Sequence, residues 1–221
     1  MKIVVFSLFP NLITPYFQDS ILKKALDKNL FEIEIVDFRK YAKNRHKKVD
    51  TPLVGGGAGM IIDNEALRYA LTEYKLKFPF SRTIFLTPVG KRYNQKDAIR
   101  FSKEKHLFLV CGRYEGFDER LIEDFADEVI SIGDFVLTGG EIASLCIIDS
   151  VVRNIEGVLG NIHSLEGESF GNDLLEAPNF SKISNNVPAI LKSGNHKKIE
   201  SWKARLSEYK TIFHRPDLIK S

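Results

Sequence analysis

The sequence has no apolar run near the ~20 residues a helix needs to cross a bilayer. Its apolar opening, KIVVFSLF, is broken at Pro10, too soon for a signal peptide. These absences argue against a membrane-spanning helix and lead us to expect a cytoplasmic protein. Cysteine is scarce: Cys111 and Cys146 are far apart and belong to no CxxC pattern, which suggests neither a disulfide framework nor a zinc site and predicts two reduced, buried thiols. Internal repeats and low-complexity tracts are also missing, so solenoid and linker-like classes fall away.

What remains is ordinary in bulk. With 221 residues, 43% hydrophobic and 28% charged, the chain can bury a substantial core as one large α/β domain or as a main domain with a small appendage. Net charge is only +3, but it is unevenly spread. From Pro178 to Ser221 nine Lys or Arg stand against three Asp or Glu, a local excess of six positive charges on a mildly acidic body. A second basic run, RKYAKNRHKK at 39–48, holds six Lys or Arg and no acid. Solvated loops commonly look like this. Two such segments, with Tyr41, Trp202, Tyr209 and Phe213 interleaved, point towards a polyanionic partner such as nucleic acid.

Strand-like apolar runs recur at 2–9, 31–38, 82–87, 106–111 and 127–132, and helical patterns fall at 19–28, 64–75, 94–103, 117–125 and 140–153, with Asp63 a cap for the second. That alternation predicts an α/β fold with a mostly parallel sheet covered by helices on both faces. Beyond Gly160 the stretch NIHSLEGESFGND is polar and aperiodic, as a linker or mobile loop would be. After it, Ile199, Trp202, Leu206 and Tyr209 recur at three- and four-residue steps, which predicts a small helical C-terminal domain.

Parallel sheets bind ligands beyond the carboxyl ends of their strands. After the first strand comes FPNLI, and no strand-to-helix turn carries GxGxxG or GxxxxGK[ST], which disfavours dinucleotide-binding and P-loop folds. Glycines instead follow the last three strands: TPVGK (87–91), CGRYEGFDER (111–120) and IGDFVLTGGE (132–141). One such turn is commonplace connection chemistry. Three in succession suit a site where bare backbone reads a ligand edge between the apolar walls of Leu86, Ile132 and Leu137. GGGAGM at 55–60 follows the basic loop and by itself reads as a flexible glycine loop.

Taken in order, SLFP, GGGAGM, CGRYEGFDER, SIGDFVLTGGE, DSVVRNIEGVLG, VPAILKSGNHKKIESWK and HRPDL closely resemble the bacterial tRNA (guanine-N1)-methyltransferases of the knotted methyltransferase superfamily, across essentially the whole chain. The resemblance implies a deep trefoil knot in the sheet, an obligate homodimer, S-adenosylmethionine as methyl donor and magnesium for catalysis. It implies a knotted donor-binding domain over 1–160, a linker over 161–172 and a helical tRNA-binding domain over 173–221. Donor contacts carried over by position are Leu86, Thr87, Pro88 and Gly90; Gly112, Tyr114, Glu115 and Gly116; and Ile132, Gly133, Asp134, Phe135, Val136, Leu137, Gly139 and Gly140. The implied substrate is the guanine at tRNA position 37, next to the anticodon and preceded by another guanine.

Methyl transfer from a sulfonium is an in-line displacement, and guanine N1 carries a proton at neutral pH. The chemistry therefore needs a base beside N1 and positive charge near O6. In the family the base is the aspartate of an acid-Asp-Ser-Phe motif; here the stretch reads Glu166-Gly167-Glu168-Ser169-Phe170, which makes Glu168 the expected base, with Asp173 and Glu166 as alternatives. Arg153, closing DSVVR, matches the arginine that contacts the guanine. Competing readings are a knotted methyltransferase acting on ribosomal RNA or a ribose hydroxyl, and a non-catalytic RNA-binding relative.

Overall fold

The computed structural model describes residues 1–219 apart from Glu166, Ser184 and Asn185, with only the backbone described at Ile162 and His163. The chain divides into two compact units, Met1–Gly160 and Asn161–Ser221.

In the first unit the elements run β1 (Lys2–Ser7), α1 (Ser20–Asp27), β2 (Glu32–Asp37), β3 (Asp50–Pro52), β4 (Met60–Ile62), α2 (Asn64–Lys77), β5 (Arg82–Arg92), α3 (Gln95–Phe101), β6 (His106–Cys111), α4 (Glu119–Phe125), β7 (Glu128–Ser131) and α5 (Glu141–Val152). Five strands form one parallel sheet in the order β2-β1-β6-β5-β7. Alternation along each strand splits the core in two. Ile3, Val5, Ile84, Leu86, Leu107, Leu109 and Cys111 face α1, α3 and α5. Val4, Phe6, Phe85, Phe108 and Val110 face α2 and α4. Both faces are thus buried, as the unbroken apolar strands require. Asp63 caps α2, accepting from the Glu65 amide at 3.0 Å.

Three features depart from the sequence expectations. β5 continues to Arg92, past the expected stop at 87. Within it the register jumps: Ile130 is the partner of Leu86 and again of Lys91, so Thr87–Gly90 loop out between two pairings with β7. A short antiparallel hairpin, β3 with β4, brackets the glycine loop; three-residue strands are too short to show a period. Cys111 is buried as expected, but Cys146 is exposed because it occupies the outward side of α5.

The second unit is built on α6 (His196–His214), capped by Asn195, whose side chain accepts from the Lys198 amide at 3.1 Å. The segment 175–176 is strapped to this helix: the Leu175 amide donates to Thr211 Oγ1 at 2.9 Å and Lys210 Nζ donates to the Glu176 carbonyl at 2.9 Å. Ile199, Trp202 and Leu206 are partly buried, whereas Tyr209 is exposed.

Candidate active site

The turns that follow β5, β6 and β7 converge on a cleft of about 300 Å³. From the first turn, Leu86, Thr87, Pro88 and Val89 line it. Gly90 does not: a Cβ there would lie 2.5 Å from the Ile130 nitrogen and 2.6 Å from the Val129 carbonyl carbon. Its bareness lets the chain pass against the main chain of β7.

The second turn contributes Gly112, Arg113, Tyr114, Glu115, Gly116 and Phe117. Tyr114 (φ 58°) and Gly116 (φ 106°) are both left-handed. A tyrosine in that region is uncommon, and such residues concentrate where backbone shape serves a site. The glycine loop is clamped to this turn, since the Glu115 amide donates to the Met60 carbonyl at 2.9 Å and the Ile62 amide to the Gly116 carbonyl at 3.1 Å. Gly55, Gly56, Gly57 and Gly59 are all left-handed, and a Cβ on Gly59 would strike the Glu115 side chain. A motif that was weak in sequence therefore meets the cleft's rim through Glu115.

From the third turn Ile132, Phe135, Val136, Leu137, Thr138, Gly139 and Gly140 line the cleft. Gly133 and Asp134 do not. Gly133 sits beneath the Phe135 ring, and the Asp134 carboxylate pairs with Arg92. None of Gly133, Gly139 and Gly140 is left-handed. At Gly140 the reason for glycine is proximity: an added Cβ would lie 2.7 Å from Cys111 Cα and 2.9 Å from the Gly112 nitrogen, and its amide donates to the Gly112 carbonyl at 2.8 Å.

Among residues the sequence did not single out, Arg113 and Glu141 are the most consequential. Arg113 Nη1 donates to the Thr138 carbonyl at 3.0 Å, and its Nη2 lies 2.9 Å from Oε2 of Glu141, whose side chain is 2% exposed. The Ser7 hydroxyl donates to Oε1 of Glu141 at 2.7 Å. Burial, and after it the Glu141 carboxylate, pushes the neighbouring Cys111 thiol well above its ordinary value, so that cysteine is an inert packing group. Position was the available signal: Arg113 lies inside CGRYEG and Glu141 ends the bare stretch.

Arg153 is the C-cap of α5, its amide donating to the Asp149 carbonyl at 3.2 Å. Glu168 lies in the second unit, where its carbonyl accepts from the Gly171 amide at 3.2 Å. Asp173 is left-handed at φ 59°. Glu166 lies outside the described residues. Among the described residues there is no group of three or more His, Cys, Asp or Glu able to hold a metal, and no helix is long and apolar enough to cross a membrane.

The chain has named relatives over its full length. It is 55% identical to the tRNA (guanine-N(1)-)-methyltransferase of Helicobacter pylori strain Shi470, over 100% of this chain and 98% of the relative. It is likewise 55% identical to the enzyme of that name from a Nitratiruptor species, over 98% of this chain and 97% of the relative. To that of Campylobacter jejuni subsp. jejuni serotype O:6 it is 50% identical, over 99% of this chain and 97% of the relative. Residues 1–221, the three-turn cleft among them, match the family described as tRNA (Guanine-1)-methyltransferase TrmD: the chain belongs to that family.

Proposed function

We propose that the chain transfers the methyl group of S-adenosylmethionine to N1 of the tRNA guanine at position 37, next to the anticodon, and that the three-turn cleft holds the donor. The convergence of those turns, in a chain matching the family end to end, carries this reading. The cleft's residues fit a nucleoside. Leu86, Ile132 and Leu137 supply apolar walls, main-chain groups around Gly112 and Gly140 supply polar contacts, and a Cβ at Gly140 would drive the two turns apart. When bound, the donor supplies an electrophilic methyl group on a cationic sulfonium. Glu115, the acid among the lining residues, is suited to balance that charge.

Glu168 takes the N1 proton and Arg153 stabilises the charge that then builds on O6. Along α5, Arg153 stands roughly 20 Å from Gly140, at ~1.5 Å of rise per residue. A second copy of the chain is the source that brings an Arg153 to the cleft, which makes the homodimer part of this reading. Phe9, Leu12 and Ile142, 40%, 56% and 58% exposed, offer an apolar face for it, and the Tyr16 hydroxyl, donating to Asp149 Oδ2 at 2.7 Å, ties residues 10–17 to α5.

The reading includes, as the resemblance implies, a trefoil knot in 1–160, followed by a linker over 161–172 and a tRNA-binding domain over 173–221. Magnesium stays in the proposal as implied by the resemblance. The described residues contain no group of three or more His, Cys, Asp or Glu able to hold a metal, so no residue is assigned to it and no step passes through it. A tRNA-modifying enzyme belongs in the cytoplasm.

The test is methylation of unmodified tRNA transcripts that differ only at position 37. The expected product is 1-methylguanosine from the guanine transcript alone; methylation of a ribose, or of a transcript lacking that guanine, overturns the assignment. Glu168→Gln is expected to slow single-turnover methylation by ~10²–10⁴-fold with both ligands still bound. Glu168→Asp, the commoner residue, should remain active. If Asp173→Asn or Glu166→Gln abolishes the pH dependence and Glu168→Gln does not, the base is another carboxylate.

A further inference from the structure

Open α/β sheets usually bind ligands where the strand order reverses. Here that crevice lies between β1 and β6, and it is filled by protein. Ser7 from the end of β1, Arg113 from the turn after β6 and Glu141 from the first position of α5 meet in it, with the Phe9 ring 4.4 Å from the guanidinium carbon of Arg113. The ligand cleft is displaced to β5, β6 and β7, and Arg113 is the side chain shared by plug and cleft.

A buried ion pair adds little to stability, because desolvating both charges offsets much of their attraction. This pair is not even well aligned: Glu141 Oε2 and Arg113 Nε are both buried without a hydrogen-bond partner among the described residues, so the contact is one of charge. A carboxylate at a helix N-terminus gains from the dipole, but that gain does not require burial beside an arginine. The more informative fact is what stands on the other side. Arg113 lines a cleft whose ligand, on the reading above, is a cation. An arginine keeps its charge at any accessible pH, so an unpaired one there would oppose the sulfonium.

We propose that Glu141 is the charge-balancing and positioning residue of the donor site: it neutralises Arg113 at the cleft wall and holds that side chain across the third turn, fixing the turn's approach. Two contacts describe the positioning. Arg113 Nη1 donates to the Thr138 carbonyl at 3.0 Å, and a Cβ on Gly139 would collide with the guanidinium. Glu141 is itself fixed by the Ser7 hydroxyl, which also accepts from the Phe9 amide at 2.9 Å. Glu141 acts through Arg113 and touches no reacting atom.

The inference rests on the donor site proposed above, and the test separates the two. Full-length wild type, Glu141→Gln, Arg113→Gln and the double variant are titrated with S-adenosylmethionine and with S-adenosylhomocysteine, the neutral thioether left after transfer. Glu141→Gln keeps the shape and the acceptor for Ser7 but exposes the donor to an unbalanced cation. Its Kd for the cationic donor is expected to rise about tenfold, equivalent to ~1.4 kcal/mol, and its Kd for the neutral product by no more than about threefold. Arg113→Gln removes the cation, so its preference for donor over product should not fall below that of wild type. The double variant, with neither charge and no buried unpaired carboxylate, should recover the wild-type ratio even where Glu141→Gln alone folds poorly. Equal weakening of both ligands in Glu141→Gln, an unchanged donor Kd, or a reduced ratio in the double variant overturns the inference. Failure of wild type to bind either ligand overturns the donor site itself.

Discussion

Glycines of the first and third turns are required less by the angle of the chain than by what stands beside them. Gly140 has an ordinary helical backbone (φ −81°, ψ −4°), yet the main chain of Cys111 and Gly112 occupies the space of its missing Cβ. Backbone on a buried strand end cannot swing aside as a flexible side chain can. Gly140→Ala is therefore expected to push the second and third turns apart, with an overpacking cost of ~1–3 kcal/mol. Gly160→Ala is the matched control, since nothing lies within 4 Å of its Cβ position and its φ is not positive. Thermal unfolding and calorimetric titration with S-adenosylmethionine should show lower stability and weakened binding for the first variant and neither for the second. Equal behaviour of the two would mean that the close approach does not shape the cleft.

At the scale of elements, α3 shows how a buried charge is held beside the looped strand. Asn94 caps the helix and Asp97 reciprocates, completing a capping box. The Asp97 side chain is 5% exposed; burial alone would raise its pKa, but Arg100 at 2.8 Å and Lys91 at 2.9 Å outweigh that and hold it below the ordinary carboxylate value. A depressed folded pKa contributes stability that is complete above the unfolded value of 3.8 and is lost as pH falls through the folded one. Asp97→Asn should lower stability by about 2 kcal/mol near neutrality. In melting curves against pH the gap to wild type should close only below about pH 3.8, and a gap that is constant with pH would exclude the ion pairs as its source. These elements also mark what sequence could disclose. Runs such as HLFLVC coincide with β6, because burial on both faces leaves no polar residue in the pattern. The register jump in β5 left no trace, since Thr87–Gly90 reads as an ordinary turn and only the placement of β7 shows that the chain pairs with it twice. Likewise Glu141 belonged to the stretch that drew attention, yet its burial depends on Ser7, distant in sequence and adjacent only through the sheet order.

Over the whole molecule, charge separates the ligand cleft from the surface suited to RNA. The cleft is mostly apolar and lies in the first unit, while positive charge concentrates after Pro178. In the second unit Lys197, Lys198, Trp202 and Arg205 line a hollow beside the start of α6, the three cations exposed and the indole partly buried against Phe180. Such cations release the counterions condensed on phosphates, so the logarithm of tRNA affinity should fall linearly with the logarithm of salt concentration, whereas the donor, carrying one net positive charge into a mostly apolar cleft, should show a far weaker salt dependence. Lys197→Gln with Lys198→Gln should weaken tRNA binding and reduce the salt slope by about one per lysine that contacts a phosphate. Donor affinity should not change, because neither lysine lines the cleft. The measurement is tRNA Kd over a salt series for wild type and the double variant. If the slope is unaltered, this basic hollow is a solvated face and the RNA is held elsewhere, with the exposed run at Arg45–Lys48 the next segment to neutralise.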